Sequence, residues 1–288
     1  MTDRVNTASL VTQVQRDLRN VFLNNLNMED YTTPNMDILN LPDGTLDTRI
    51  VGGQEAVRNA FHYQAALFLP VQTGISFCGG SIISQQWILT AAHCVDQLVG
   101  AVTIILGAHD IQIVEPSQKS FSSNVIHIHP QWSRETAQND VALIKLPRSI
   151  VYNANIQPVK LPGRSQLTQN FANAQATVSG WGRTSDASNA ISSVLRYLSQ
   201  PVITNTVCRI AYPGVIIDSH LCVSGTGGKS TCQGDSGGPL VTAVNGVTTQ
   251  IGIVSFGSPL GCGVGFPPVY SRVTSYVSWI SGITGISF

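Results

Sequence analysis

The stretch Thr231-Cys232-Gln233-Gly234-Asp235-Ser236-Gly237-Gly238-Pro239-Leu240 decides how the rest of the chain is interpreted. A serine between an aspartate and two glycines is suited to a tight turn that presents a nucleophile. Glycine has no Cβ atom, so the backbone N–H groups of such a turn can approach a substrate oxygen closely. Taken alone, residues 234–238 are equally compatible with an ordinary glycine-rich loop, and the interpretation depends on what the rest of the chain supplies.

Two further stretches supply the partners that a nucleophilic serine needs. Thr90-Ala91-Ala92-His93-Cys94 contains a histidine, and Asn139-Asp140-Val141-Ala142-Leu143 places an aspartate before an apolar run. A serine hydroxyl is a weak nucleophile at neutral pH unless a base takes its proton, and histidine titrates near that pH. A carboxylate can orient the imidazole and stabilise its protonated form. We therefore predict a catalytic triad of His93, Asp140 and Ser236.

The order of these three residues along the chain is that of the chymotrypsin-like serine proteases. From residue 50 to the C-terminus the chain resembles that family, with the character of arthropod digestive chymotrypsins and collagenases. The resemblance implies an all-β fold of two antiparallel six-stranded β-barrels with a C-terminal helix, and a catalytic cleft between the barrels. It implies a propeptide at 1–49, a first barrel at 50–161, and a second barrel with the terminal helix at 162–288.

Composition fits this class and excludes others. The chain has 288 residues with 16 basic and 16 acidic side chains, so its formal net charge is zero. That balance argues against a nucleic-acid or acidic-membrane partner, and no apolar run is long enough to span a bilayer. The 26 glycines and 14 prolines are typical of a turn-rich β protein. Short apolar segments such as 102–106 and 141–146 predict strands.

The six cysteines indicate an oxidising compartment. No two of them form a C-x-x-C pair, so neither a zinc site nor a redox motif is predicted. An even number at wide spacing indicates disulfides, although six cysteines can pair in many ways. The resemblance selects one pairing: Cys78–Cys94, Cys208–Cys222 and Cys232–Cys262. We expect a secreted, extracellular protein whose signal peptide is absent from this sequence, because no apolar core follows Met1.

Residues 1–49 differ in pattern from the rest of the chain. Apolar residues at helical spacing near the start predict one amphipathic helix, and proline and glycine punctuate the remainder of this segment. The resemblance implies cleavage after Arg49 by a trypsin-like protease, which would free an ammonium group on Ile50. That ammonium could pair with Asp235, whose buried carboxylate would otherwise be costly. An ordinary strand and turn at residues 50–53 is the alternative, and it leaves Asp235 unexplained.

The resemblance also assigns the substrate site. The backbone N–H groups of Gly234 and Ser236 would form the oxyanion hole, and Ser230 would lie at the floor of the primary pocket. The other pocket positions implied by the resemblance are Ser255, Phe256, Gly257 and Pro268. Ser230 carries no charge to receive arginine or lysine, so we predict cleavage after large apolar residues. An elastase-like preference for smaller apolar residues is the alternative, because Pro268 would shorten the pocket.

Two other classes of function stay open at this stage. A protease-shaped binding protein without catalysis usually lacks a triad residue, whereas this chain has all three in context. An α/β-hydrolase esterase requires Gly-x-Ser-x-Gly with the serine before the histidine, and here His93 comes first. The expected partners are protein or peptide substrates, an activating trypsin-like protease and protein inhibitors, with the chain acting as a monomer. No cofactor or metal is predicted, since Ala108 and Gln118 stand where calcium-binding relatives would have glutamates.

Overall fold

The structure is a computed structural model of the full chain, and it describes residues 51–288. The predicted propeptide helix and the activation residues Arg49 and Ile50 lie outside the described residues. Within the described part, no helix is long and apolar enough to cross a membrane.

The first sheet is built from the N-terminal half of the described chain. A two-residue strand, β1 (Gln54–Glu55), precedes this sheet in the chain and is not part of it. The seven strands of the first sheet are β2 (Gln64–Val71), β3 (Gly74–Ile82), β4 (Trp87–Thr90), β5 (Val102–Leu106), β6 (Lys119–Ser123), β7 (Ile126–Ile128) and β8 (Ala142–Lys145). They pair antiparallel in the order β6-β5-β2-β3-β4-β8-β7. A short helix, α1 (Ala92–Val95), follows β4 directly.

The second sheet closes into a six-stranded barrel. Its strands are β9 (Gln175–Gly180), β10 (Arg196–Ile203), β11 (His220–Val223), β12 (Pro239–Val244), β13 (Val247–Phe256) and β14 (Val269–Arg272). The order is β10-β11-β14-β13-β12-β9, and β9 also pairs with β10, which completes the ring. Strand β1 adds to the outer edge of β10, so the start of the described chain reaches the second barrel.

Four helical segments accompany the strands after β8. They are a 3-10 turn (Arg164–Gln166), α2 (Asn205–Ala211), a second 3-10 turn (Val273–Ser275) and α3 (Val277–Thr284). The buried side chains Val277 and Ile280 of α3 belong to the apolar core of the first sheet, together with Leu67 and Leu143. Full burial of such a side chain contributes about 1.5–3 kcal/mol. The end of the chain therefore anchors the second barrel to the first.

Buried polar contacts also join the two sheets. Ser81 donates to Gln250 Oε1 across 2.6 Å, and Ser179 donates to Gln64 Oε1 across 2.6 Å. All four side chains are buried, so losing one partner would leave a polar group unsatisfied at a cost of about 1–3 kcal/mol. These pairs fix the two barrels relative to each other.

The predicted all-β architecture with a C-terminal helix is confirmed. The second sheet closes as a six-stranded barrel through the pairing of β9 with β10. In the first sheet, β6 and β7 are successive parts of residues 119–128, of which β6 pairs with β5 and β7 pairs with β8. This stretch therefore connects the two ends of the first sheet. At its bend Ser123 Oγ donates to the carbonyl of Lys145, and Lys145 N donates to the carbonyl of Val125. The boundaries 50–161 and 162–288 stay predictions.

Candidate active site

Asp140 and His93 meet at one end of the first sheet. Thr90 at the end of β4 pairs with Ala142 at the start of β8, so residues just beyond these strand ends lie side by side. Asp140 is fully buried. Its Oδ2 lies 2.7 Å from His93 Nδ1, and its Oδ1 accepts the backbone N–H of His93 at 2.9 Å. Because the Asp140 carboxylate accepts a hydrogen bond from His93 Nδ1, that nitrogen carries the proton, and Nε2 is free to act as a base.

The second barrel completes the environment of Asp140. Ser255, on β13, donates to Asp140 Oδ2 across 2.6 Å. Ser271, on β14, donates to the Asp140 backbone carbonyl across 2.8 Å. The carboxylate thus has three donors, which compensate the burial of its charge. Residues of both barrels therefore hold Asp140 in place.

The turn containing Ser236 packs against the same end of β4. The Ser236 carbonyl accepts Gly79 N at 2.7 Å. Gly237 has φ +75°, and a Cβ atom there would lie 2.2 Å from Thr90 Oγ1, so only glycine allows this approach. Ser236 itself is half-buried. The hydrogen bonds of the described residues include none between its hydroxyl and His93 Nε2, a bond that often tightens only with substrate bound.

The carboxylate of Asp235 lies in the protein interior beside Gly180 and Gly182. It is fully buried and accepts the N–H groups of Gly182 and Cys232 at 2.8 and 2.9 Å. Burial raises the pKa of Asp235 to about 6, although the two hydrogen bonds lower it. A Cβ atom at Gly180 or Gly182 would lie within 2.3 Å of a carboxylate oxygen. These glycines therefore make room for Asp235, a role that the sequence did not reveal.

The start of the described chain lies beside the predicted pocket. The carbonyl of Val51 accepts the N–H of Ser230 at 3.2 Å. Its neighbour Gly52 lies against the side chain of Lys229, which is exposed to solvent. Residue 51 thus contacts the predicted pocket floor, and the predicted activation residue Ile50 immediately precedes it in the sequence.

The predicted pocket residues lie on three stretches of the chain: residue 230, residues 255–257 and residue 268. Ser230 is buried and its hydroxyl donates to the carbonyl of Thr231. Pro268 is buried, and its carbonyl accepts Val223 N. At Gly257 a Cβ atom would meet nothing within 4 Å, so the backbone there borders open space.

Phe256 differs from the other predicted pocket residues because its side chain packs against other aromatic rings. Its ring is half-buried and meets the rings of Tyr212 and His220 edge-on, at 6.0 and 5.5 Å between centroids. The side chain therefore packs into the second barrel, and only the backbone of this residue is available to an extended substrate.

The three disulfides join the pairs that the resemblance implies. They are Cys78–Cys94, Cys208–Cys222 and Cys232–Cys262. The first ties β3 to the residue after His93, and the third ties the turn before Ser236 to the segment after Gly257. Two clusters of described residues have metal-ligand spacing, one at His93 and one at Asp186, but in each the other members are these bonded cysteines. Their sulfurs are therefore not available as thiolate ligands.

Two acidic residues make contacts that the sequence did not signal. Glu115 accepts the N–H groups of His109 and Asp110 and pairs with Arg58. Arg58 therefore already neutralises the Glu115 carboxylate, which lies near Ala108 and Gln118, the positions predicted to lack calcium. The second is Asp186, which accepts two backbone N–H groups next to the pocket. Neither residue belongs to a motif, and Arg58, Cys262 and Gly263 all lie far along the chain from the carboxylates that they contact.

Comparisons with known proteins agree with this geometry. A sequence model of the trypsin family matches residues 50–280. Brachyurin of Leptuca pugilator is 43% identical over 238 residues, which cover 83% of this chain and all of that protein. Collagenase of Hypoderma lineatum is 43% identical over 83% of this chain and 89% of its own length. Trypsin II-P29 of Gallus gallus is 40% identical over 83% of this chain and 90% of its own length.

A solved structure, titled HL collagenase, extends the agreement to three dimensions. It superposes with a TM-score of 0.75 at 43% identity and covers 83% of this chain and 100% of its own. Family, relatives and fold all match the region that carries His93, Asp140 and Ser236. The chain therefore belongs to the trypsin family and is a serine endopeptidase.

Proposed function

We propose that this chain is the zymogen of a secreted endopeptidase that cleaves after large apolar residues with His93, Asp140 and Ser236. The observation that carries the catalytic assignment is the double contact of the buried Asp140 with His93, at Nδ1 and at the backbone N–H. The Ser236 turn packs against the same strand end.

The mechanism follows from these positions. His93 Nε2 takes the proton of Ser236 Oγ as the hydroxyl attacks the substrate carbonyl, and Asp140 stabilises the imidazolium that forms. The N–H groups of Gly234 and Ser236 bind the oxyanion, and each such donor lowers the barrier by about 3 kcal/mol. His93 then gives the proton to the leaving amine, and water hydrolyses the acyl-enzyme by the reverse sequence.

The preference for apolar residues rests on the pocket floor. Ser230 is buried and uncharged, so a guanidinium or ammonium would be buried there without a partner charge. The open backbone at Gly257 leaves room for a ring at the mouth. The alternative is an elastase-like preference for leucine or smaller apolar residues, in which the buried Pro268 would shorten the primary pocket.

Activation would follow cleavage after Arg49. The new ammonium of Ile50 would neutralise Asp235, and the contact of Val51 with Ser230 keeps this part of the chain near the pocket. A primary pocket with the uncharged Ser230 at its floor should not bind the Arg49 side chain, so a separate trypsin-like protease would cleave the bond after Arg49. Three disulfides among the described residues support secretion. We further propose a monomer that is subject to protein inhibitors.

The test incubates purified zymogen alone and with a trace of trypsin. Appearance of the Ile50 N-terminus is followed by sequencing, and hydrolysis is followed on peptides that differ only in Phe, Leu, Ala or Arg before the cut bond. We expect activation only with trypsin and the highest kcat/KM on Phe or Leu. Rapid self-cleavage at Arg49, lost in a Ser236→Ala variant, would overturn both the pocket assignment and the need for an activator.

A further inference from the structure

Asp186 clamps the backbone of a distant loop. It is an exposed residue of the loop between β9 and β10. Its Oδ1 accepts the N–H of Cys262 at 2.6 Å, and its Oδ2 accepts the N–H of Gly263 at 2.9 Å. These two bonds lower the pKa of Asp186, the one from Cys262 most. A carboxylate that binds two successive N–H groups sets the orientation of the segment as well as its distance.

The clamped segment is shaped for this contact. Gly261 has φ +132°, and a Cβ atom there would lie 2.8 Å from Asp186 Oδ2. Any side chain at this position would push the carboxylate away. Residues 257–265 contain four glycines and are mostly exposed, so the segment has little packing of its own. Such a segment gains order mainly from its tethers.

The other side of the segment forms a wall of the proposed pocket. A Cβ atom at Gly228 would lie 2.7 Å from the carbonyl oxygen of Gly263, and one at Gly225 would lie 2.6 Å from that of Gly265. The stretch that leads to Ser230 therefore runs in close contact with it. The Cys232–Cys262 disulfide adds a covalent link between the two walls. Asp186 holds this wall from outside.

The loop that carries Asp186 also contacts the turn of the oxyanion hole. Arg183 N donates to the carbonyl of Gln233 at 2.8 Å. The side chain of Ile191 lies 2.7 Å from where a Cβ atom of Gly234 would be. Both ends of the loop are thus fixed beside the Ser236 turn, and its middle reaches the pocket wall through Asp186.

We propose that Asp186 is a positioning residue for substrate selection. By binding Cys262 and Gly263 it holds the pocket wall in the position that receives a large apolar side chain. Asp186 thereby affects how the substrate residue before the cleaved bond is bound, and it leaves the catalytic triad unaffected. This inference rests on the proposed function, because it assumes that the walls beside Ser230 receive that side chain.

The experiment compares trypsin-activated wild type with Asp186→Ala and Asp186→Asn. Asp110→Ala is the matched control, because Asp110 also accepts a loop N–H, that of Gln112 at 2.8 Å, in a different loop. The substrates are identical peptides with Phe or Ala before the cut bond. For Asp186→Ala we expect KM on the Phe peptide to rise about tenfold, the effect of losing charge-assisted hydrogen bonds, with kcat within about threefold. The Ala peptide and the control should change by less than about twofold.

A second variant, in the clamped segment itself, tests the same contact in case Asp186→Ala fails to fold. Gly261→Ala should reproduce the rise in KM, and the double variant should be no worse than either single one, since both remove one interaction. Asp186→Asn keeps one carbonyl acceptor and should lie between wild type and Asp186→Ala. An unchanged KM on the Phe peptide, or an equal loss on both peptides with a lower melting temperature, would overturn the proposal.

A binding measurement separates this proposal from the proposed function. Indole serves as an aromatic probe of the pocket, with affinity measured by calorimetry on the cut Ser236→Ala chain with and without Asp186→Ala. We expect about tenfold weaker binding in the double variant. If the trypsin-activated wild type cleaved none of the peptides, the proposed function would be refuted. The indole measurement would still test the role of Asp186, because equal indole affinities with and without Asp186→Ala would refute that role.

Discussion

Deprotonation of Asp235 should destabilise the uncut chain by an amount that the structure sets. The carboxylate is fully buried, and its polar partners within residues 51–288 are the N–H groups of Gly182 and Cys232. Burial raises its pKa from 3.8 to about 6. The folded chain then holds this proton more tightly than the unfolded chain does. The free energy of unfolding therefore falls as pH rises from about 4 to about 6, and the total loss is about 3 kcal/mol at about 1.4 kcal/mol per unit.

Cleavage after Arg49 should remove this loss. The ammonium of Ile50 would supply the opposite charge that the uncut chain lacks. The comparison uses a Ser236→Ala chain, which should not digest itself, before and after treatment with trypsin. The two forms share the described titratable groups, so their other pH effects largely cancel. Urea unfolding followed by tryptophan fluorescence should show that the stability advantage of the cut form grows by about 3 kcal/mol between about pH 4 and about pH 7.

An Asp235→Asn substitution provides the control. Its side chain does not titrate, so the cut and uncut forms of this variant should keep a constant difference in stability across the same pH range. Parallel pH curves for the cut and uncut forms of the chain with Asp235 intact would refute the reasoning. They would mean that the freed N-terminus does not reach this carboxylate.

Three further outcomes are expected. Asp140→Asn should lower kcat by about 10⁴-fold at neutral pH with little effect on KM, because the imidazole loses the carboxylate that fixes its tautomer; steady-state kinetics on the Phe peptide checks this. Replacing Cys208 and Cys222 together by alanine should cost about 3 kcal/mol of stability with activity retained, as measured by urea unfolding and peptide hydrolysis. Calcium or a chelator should leave the melting temperature unchanged, since Glu115 is already paired; a rise with calcium would contradict this.

The catalytic stretches could be predicted because their chemistry restricts the residue types. A serine nucleophile, a histidine base and an orienting carboxylate each leave a recognisable local pattern. The strands β5 and β8 were predictable for a related reason, as both are short apolar runs with nearly every side chain buried. Helix α2 was not predicted, because its apolar residues Val207 and Ile210 are exposed and produce no amphipathic pattern.

Contacts between distant loops could not be predicted in the same way. Asp186 meets Cys262 and Gly263 across 76 and 77 residues of chain, and an aspartate in a polar loop carries no local signal of such a partner. The family resemblance gives the general architecture, and the side-chain contacts specific to this chain come only from the structure.

The most direct test of the central claim is covalent labelling of Ser236. The trypsin-activated chain is treated with an active-site serine phosphonate that carries a phenylalanine side chain, and the modified peptide is identified by mass spectrometry. We predict stoichiometric labelling at Ser236 with matching loss of peptide hydrolysis, and no labelling of His93→Ala or of the uncut chain. Absence of labelling in the activated chain, or a label on another serine, would contradict the triad and favour a binding protein without catalysis.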